Sequence, residues 1–189
     1  TQPTIPANAP NGAEPPNLAG GPTAAVTLEE FADYQCPTCG AKYPVFDEIK
    51  STYGNRVRFI FRNYPLPQHD KSYAAAVAAE AAGLQGKFWE MHGALFSNQQ
   101  AWTASPTYKD IWKGYAQKIG LNVDKWETDM AGTAAKLRVD ADVARVKAVG
   151  VGSTPTLYMN GRQVAFPDLT VEQLKHLIDA ELQKAAPAQ

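Results

Sequence analysis

The chain has 189 residues, 44% of them hydrophobic, and 18 Lys and Arg against 19 Asp and Glu give a formal net charge of −1. That length and apolar content suffice for one domain with a sizeable core, and the interspersed charge excludes a basic face for nucleic acid or anionic lipid. No apolar run approaches the roughly 18 residues that a membrane-spanning helix needs, and no charged-then-apolar targeting segment precedes the fold, so compartment must be inferred from chemistry.

Residues 1–23 read as a flexible tether. They hold Pro3, Pro6, Pro10, Pro15, Pro16 and Pro22 with a single charge, Glu14, a composition that buries too little apolar surface to repay ordering. Organised structure begins with Ala25–Phe31, which reads as a strand. The only two cysteines follow, in Cys36-Pro37-Thr38-Cys39, and a helical pattern starts there. A cysteine at a helix N-terminus meets unsatisfied N–H groups and the positive end of the macrodipole, which favour thiolate over thiol. Pro37 suits the first turn, where its missing N–H costs nothing. Zinc would need four ligands, and the sequence has no second C-x-x-C or His-x-x-x-His to complete the set. A structural staple across so short a loop would constrain the unfolded chain little. The motif therefore points to thiol–disulfide chemistry.

The helix is expected over 37–53, with Tyr43, Phe46, Ile49 and Tyr53 on one side and a kink at Pro44. Gly54-Asn55 ends it, and Arg56–Arg62 alternates as a strand, giving a βαβ unit with a parallel pair. Residues 64–153 carry no strand pattern. Helical segments are expected near 70–85, 87–97, 107–119, 123–131 and 133–149, with Phe88, Trp89, Phe96 and Trp112 in their core. Strand pattern returns at 154–159, Asn160-Gly161 signals a tight hairpin, and 162–165 forms the returning strand. Thr170-Val171-Glu172-Gln173 is a capping-box pattern opening a last helix, with Leu174, Leu177, Ile178 and Leu182 inward.

Several stretches together carry a resemblance: Glu30–Cys39 (EFADYQCPTC), Arg62–Leu66 (RNYPL), His69, Gly86–His92 (GKFWEMH) and Gly152–Thr156 (GSTPT). In order and spacing, over about residues 25–182, they resemble the DsbA-like thiol–disulfide oxidoreductases of the thioredoxin superfamily. The resemblance implies an α/β thioredoxin fold, a central mixed β-sheet flanked by helices, with an inserted all-helical subdomain. It divides the chain into a tether (1–23), a first thioredoxin part (24–63), a helical insertion (64–150), a second thioredoxin part (151–184) and a tail (185–189).

The resemblance also assigns roles. Cys36 is the sulfur that exchanges with substrate and Cys39 the resolving thiol. Thr154-Pro155 corresponds to the cis-proline loop that lies against the pair and offers backbone to an extended substrate. Glu30 corresponds to the buried acid that handles a proton at Cys39, while Asp33 shapes the turn before Cys36. Pro37 and Thr38 modulate. Strongly oxidising relatives carry histidine in the place of Thr38, so a potential between about −120 mV for DsbA and about −270 mV for thioredoxin is expected. Ala165-Phe166-Pro167 stands where a glycine is expected and alters the groove rim. His69 is read as a cap for the first insertion helix, His92 as a core residue, and His176 as distant from the chemistry.

The expected activity is exchange of the Cys36–Cys39 disulfide with cysteines of exported proteins, as a dithiol oxidase. Alternatives are a disulfide reductase or isomerase, or a chaperone-like module for unfolded chains. No metal and no cofactor beyond the redox-active disulfide are expected, and no nucleic acid. The expected partners are unfolded or cysteine-containing exported proteins and a membrane reoxidant of DsbB or vitamin-K-epoxide-reductase type. A monomer is expected outside the cytoplasm, in periplasm or cell envelope, with the N-terminal segment as a membrane tether. The restriction of cysteine to the motif suits such a compartment.

Overall fold

The structure, a computed structural model, describes residues 2–185. In chain order its strands and helices are Asn17–Gly20 (β1), Val26–Ala32 (β2), Pro37–Tyr53 (α1), Val57–Asn63 (β3), Ser72–Gly83 (α2), Phe88–Ser97 (α3), Gln99–Thr103 (α4), Tyr108–Lys118 (α5), Val123–Ala131 (α6), Ala134–Val149 (α7), Thr156–Met159 (β4), Arg162–Gln163 (β5) and Val171–Ala185 (α8). The strands form one mixed sheet in the order β1-β3-β2-β4-β5. β2 and β3 run parallel, from Val26 opposite Val57 to Ala32 opposite Asn63, and the other pairings are antiparallel. This is the central mixed sheet that the resemblance implies.

Parallel strands covered on both faces become nearly continuous apolar runs. Val26, Leu28 and Phe31 of β2, with Phe59 and Phe61 of β3, are accordingly buried. On one face Phe46, Ile49 and Tyr53 of α1 and Leu174 and Ile178 of α8 close over Val26, Leu28, Phe59 and Leu157. A second cluster joins Phe61 and the cysteines to the helical segment between β3 and β4. There Trp102, Trp112 and Trp126 are fully buried. The insertion is anchored by charge as well as packing: Glu29 of β2 accepts from Arg62 of β3 and Arg145 of α7, each at 2.6 Å, and Arg62 also reaches Asp142 of α7 at 3.1 Å.

Local rules explain the connections. α1 starts with Pro37 in its first turn and runs unbroken through Pro44 as one 17-residue helix. Asn160 and Gly161 adopt φ of 48° and 76°, the pair of positive values that a tight hairpin with matching strand twist requires. The Thr170 hydroxyl accepts Gln173 N–H at 3.2 Å at the start of α8. The short helix α4 has no counterpart in the sequence-based expectations.

One expectation needs correction. The composition of residues 1–23 predicts a flexible tether, but the described part of that segment lies on the fold. Asn17–Gly20 is a strand paired with β3. Upstream, Ile5 N–H bonds Gly161 O and Gln163 N–H bonds Pro3 O, both at 2.9 Å. The stretch between is held by arginines. Arg145 donates to Pro10 O at 2.8 Å, Arg62 to Ala13 O at 3.3 Å, and Arg138 to Glu14 O and Pro15 O at 3.0 and 2.8 Å. Prolines offer no N–H but keep their carbonyls, and guanidinium forks supply the donors that satisfy them. Gly20 turns the chain at φ +88°, where a Cβ would lie 2.1 Å from Val57 O. Thr1 and residues 186–189 fall outside the described residues, so the expected tail is described only at Ala185, the end of α8.

Candidate functional site

At the C-terminal end of β2 the chain turns through residues 33–36 into α1. Cys36 is the N-cap, with φ −68° and ψ 121°. Its N–H bonds Asp33 O and its carbonyl accepts the first helical bond from Gly40 N–H, both at 3.1 Å. Cys39 lies one turn further, at 0% exposure against 6% for Cys36. Both are free thiols.

The two sulfurs are driven apart in acidity. Cys36 is lowered to about 5, first by a hydrogen bond from the Cys39 thiol, then by the Thr154 side chain and the backbone N–H groups of Cys39 and Thr38, with burial opposing. Cys39 is pushed well up, mainly by burial and then by the Cys36 sulfur beside it. The arrangement is a thiolate at Cys36 served by a thiol at Cys39. The helix-start N–H groups contribute as placement at the N-terminus requires.

Thr154 and Pro155 lie against this pair. The peptide bond between them is cis, and Thr154 O lies 3.7 Å from Cys36 Sγ, within reach of its S–H when Cys36 is protonated. The Thr154 hydroxyl is buried without a hydrogen-bond partner, close enough to Cys36 to help lower it. A thiolate at Cys36 is a stronger acceptor for that hydroxyl than a thiol. Pro37 and Thr38 are exposed, and Thr38 reaches Cys36 through its backbone rather than its side chain.

Glu30 sits in β2, in register between Phe61 and Leu157, and is 2% exposed. Burial raises it to about 8, with the Lys50 charge opposing. Among the described residues it makes no hydrogen bond to either sulfur. Asp33 does: its N–H points at Cys39 Sγ at 3.5 Å. His92 is in the core, its Nδ1 3.0 Å from the Tyr34 hydroxyl, and burial lowers it well below its usual range.

One polar group at the site was missed from sequence, and another was given a different role. Gln99 of α4 donates to Tyr34 O at 2.7 Å and Cys36 O at 2.8 Å, clamping the turn from the insertion side. His69 is expected to cap α2, but that helix has Lys71 as N-cap and no side-chain cap; the His69 Nδ1 lies instead 2.7 Å from Asp33 Oδ2. Nothing local marks Gln99, a polar residue in a five-residue helix. A groove of about 650 Å³ opens beside the site, bordered by Pro37, Gly40, Phe96 and Gln99. Among the described residues no group of three or more His, Cys, Asp or Glu could hold a metal ion. The chemistry available is thiolate attack and disulfide exchange.

Comparison with known proteins gives the fold a lineage. Residues 13–180 match the family model described as Thioredoxin. A thioredoxin-like oxidoreductase from Silicibacter pomeroyi DSS-3 is 25% identical and superposes with a TM-score of 0.72 over 90% of this chain and 92% of its own. Oxidised BdbD from Bacillus subtilis, 24% identical, shares the fold with a TM-score of 0.76 over 93% of this chain and 98% of its own. Among curated relatives, Na(+)/H(+) antiporter NhaA 1 of Mycobacterium sp. (strain KMS) is 35% identical over 150 residues, which are 78% of this chain and 24% of that protein. The chain thus spans about a quarter of the length of the curated relatives it matches.

Proposed function

Because the chain belongs to the thioredoxin family, with a DsbA-like helical insertion in its thioredoxin fold, we propose that it is a dithiol oxidase for cysteines of exported proteins. The observation that carries the reading is the stabilised Cys36 sulfur, lowered to about 5 beside a Cys39 held as thiol. Stabilising the thiolate stabilises the reduced enzyme, and an enzyme with a stable reduced form is an oxidant.

The steps balance as follows. A substrate thiolate bonds to Cys36 Sγ of the oxidised pair, the Cys36–Cys39 bond breaks, and the electron pair passes to Cys39 Sγ, which takes a proton. A second substrate thiolate then attacks the mixed disulfide at the substrate sulfur. Cys36 leaves as thiolate, the substrate holds a disulfide, and the enzyme is a dithiol. Thr154 backbone lies beside Cys36, where an extended chain can pair with it. Exchange with a disulfide of a membrane reoxidant, of the DsbB or vitamin-K-epoxide-reductase type, completes the cycle.

Two features support an extracytoplasmic site of action. The only cysteines are those of the motif, as suits an oxidising compartment. The curated relatives are named Na(+)/H(+) antiporters, and antiport is exchange across a membrane, the setting in which a membrane reoxidant would meet this domain. We assign to this chain the thiol exchange that its own residues carry, not the ion exchange for which those longer proteins are named.

Equilibration against glutathione buffers tests the direction of the reaction. A potential well above the roughly −270 mV of thioredoxin is expected; one at or below it would make the protein a reductase. Cys39→Ala whose Cys36 already carries glutathione as a mixed disulfide should pass that bond to reduced client proteins, releasing glutathione and leaving Cys36–client adducts on non-reducing gels, and Cys36→Ala should abolish them. Adducts that survive loss of Cys36 would overturn the assignment of the nucleophile.

A further inference from the structure

Asp33 is 1% exposed, and its carboxylate accepts from four donors. Gln35 N–H, at 2.8 Å, and the Ser72 hydroxyl meet Oδ1. Leu66 N–H, at 2.9 Å, and His69 Nδ1, at 2.7 Å, meet Oδ2. The Gln35 contact is what an aspartate shaping its own turn requires. The other three come from the loop after β3 and the first residue of α2, so the insertion grips this side chain.

The backbone of Asp33 faces the other way. Its carbonyl accepts Cys36 N–H at 3.1 Å and its N–H points at Cys39 Sγ at 3.5 Å. One residue therefore touches both members of the pair through its main chain while its side chain is fixed from outside the thioredoxin motif.

We infer that Asp33 is a positioning residue for disulfide exchange: its carboxylate, held by His69, Ser72 and Leu66 N–H, keeps the 33–36 turn where the Asp33 N–H meets Cys39 Sγ. This rests on the thiol exchange proposed above. When a substrate thiolate bonds to Cys36 and the Cys36–Cys39 bond breaks, Cys39 Sγ receives the electron pair at 0% exposure, away from bulk water. A donor already aimed at that sulfur lowers the cost of the charge that develops there. In the dithiol the same donor polarises the Cys39 thiol, which strengthens its bond to the Cys36 thiolate. Both effects favour release of Cys39 and the reduced enzyme.

The test compares the wild-type chain with Asp33→Asn and His69→Ala, using the equilibrium constant against glutathione, the Cys36 titration midpoint and thermal stability. Asn keeps the size of the side chain but turns an N–H₂ toward donors. Misaiming one hydrogen bond of ordinary net strength should shift the equilibrium about threefold to tenfold toward the disulfide form, with a raised Cys36 midpoint. His69→Ala leaves three donors in place and should shift both readings in the same direction by less. A structural role alone would lower thermal stability and leave equilibrium and midpoint at wild-type values, and that result in folded Asp33→Asn overturns the inference. If Asp33→Asn does not fold, a folded His69→Ala with wild-type equilibrium and midpoint overturns it instead. Wild type that fails to exchange with glutathione overturns the function proposed above and this inference with it; wild type that exchanges, with variants indistinguishable from it, overturns this inference alone.

Discussion

Replacing Thr154 with valine removes one hydroxyl and keeps the branched shape. That hydroxyl is buried without a hydrogen-bond partner, and it helps lower Cys36 to about 5. A thiol sulfur is a weak acceptor and a thiolate a strong one, so the hydroxyl serves the ionised enzyme better than the protonated one. A hydrogen bond to a charged group contributes about 1.5–3 kcal/mol, and sulfur as acceptor argues for the lower end. At about 1.4 kcal/mol per unit, the Cys36 midpoint should rise by about one unit. Even so it stays below neutrality, so Cys36 remains thiolate at pH 7 and the whole loss falls on the reduced form. The potential should then drop by about 30 mV per 1.4 kcal/mol, making the variant a weaker oxidant.

The same substitution removes an unsatisfied buried hydroxyl, a group that costs about 1–3 kcal/mol where it has no partner. Below the Cys36 midpoint, thermal stability of Thr154→Val should therefore equal or exceed that of wild type. Thiolate ultraviolet absorbance against pH, glutathione equilibration and thermal melts provide the three readings. An unchanged Cys36 midpoint with an unchanged potential would refute the reasoning, whatever the melts show.

Thr38→His should raise the potential and lower the Cys36 midpoint, but modestly. Position 38 is exposed, where an ion pair with the Cys36 thiolate contributes about 0.2–1 kcal/mol. A shift larger than one unit would show that the side chain turns onto the sulfur. Glu30→Gln should alter the dependence of stability on pH. The folded protein raises Glu30 to about 8, so between its ordinary value and that point the folded state binds more protons than the unfolded one. The stability from neutral Glu30 is complete below the ordinary value and declines as pH rises toward about 8, and the glutamine variant should lack that decline. Denaturant melts across the window provide the check; an identical slope in both proteins would exclude Glu30 as its source.

What the sequence disclosed and what it hid separate along chain distance. Cys36 and Cys39 are legible because the motif, the proline of the first turn and the helix start occupy adjacent positions. The Asn160-Gly161 hairpin and the Thr170 cap are legible for the same reason. The grip on Asp33 was hidden because its donors His69 and Ser72 lie 36 and 39 residues away. Gln99 reaches the Cys36 carbonyl across 63 residues. The ordered N-terminal segment is the extreme case: its composition reads as a tether, and the Arg138 that holds Glu14 lies 124 residues downstream. Local composition reports the propensity of a segment; it does not report the donors that the rest of the chain brings to it.

That segment also decides where the protein can safely be cut. Residues near Pro3 and Ile5 line one margin of the sheet beside β5, and Asn17–Gly20 lines the other beside β3. Starting the chain at Ala25, the boundary that composition recommends, would strip both margins at once. β3 would show unpaired backbone along one border, and β5 would lose its bridge to Thr4. Unpaired borders of this kind recruit other chains. The shortened protein would keep both sulfurs, Thr154 and Asp33, and its defect would be self-association in concentrated solution rather than loss of thiol chemistry.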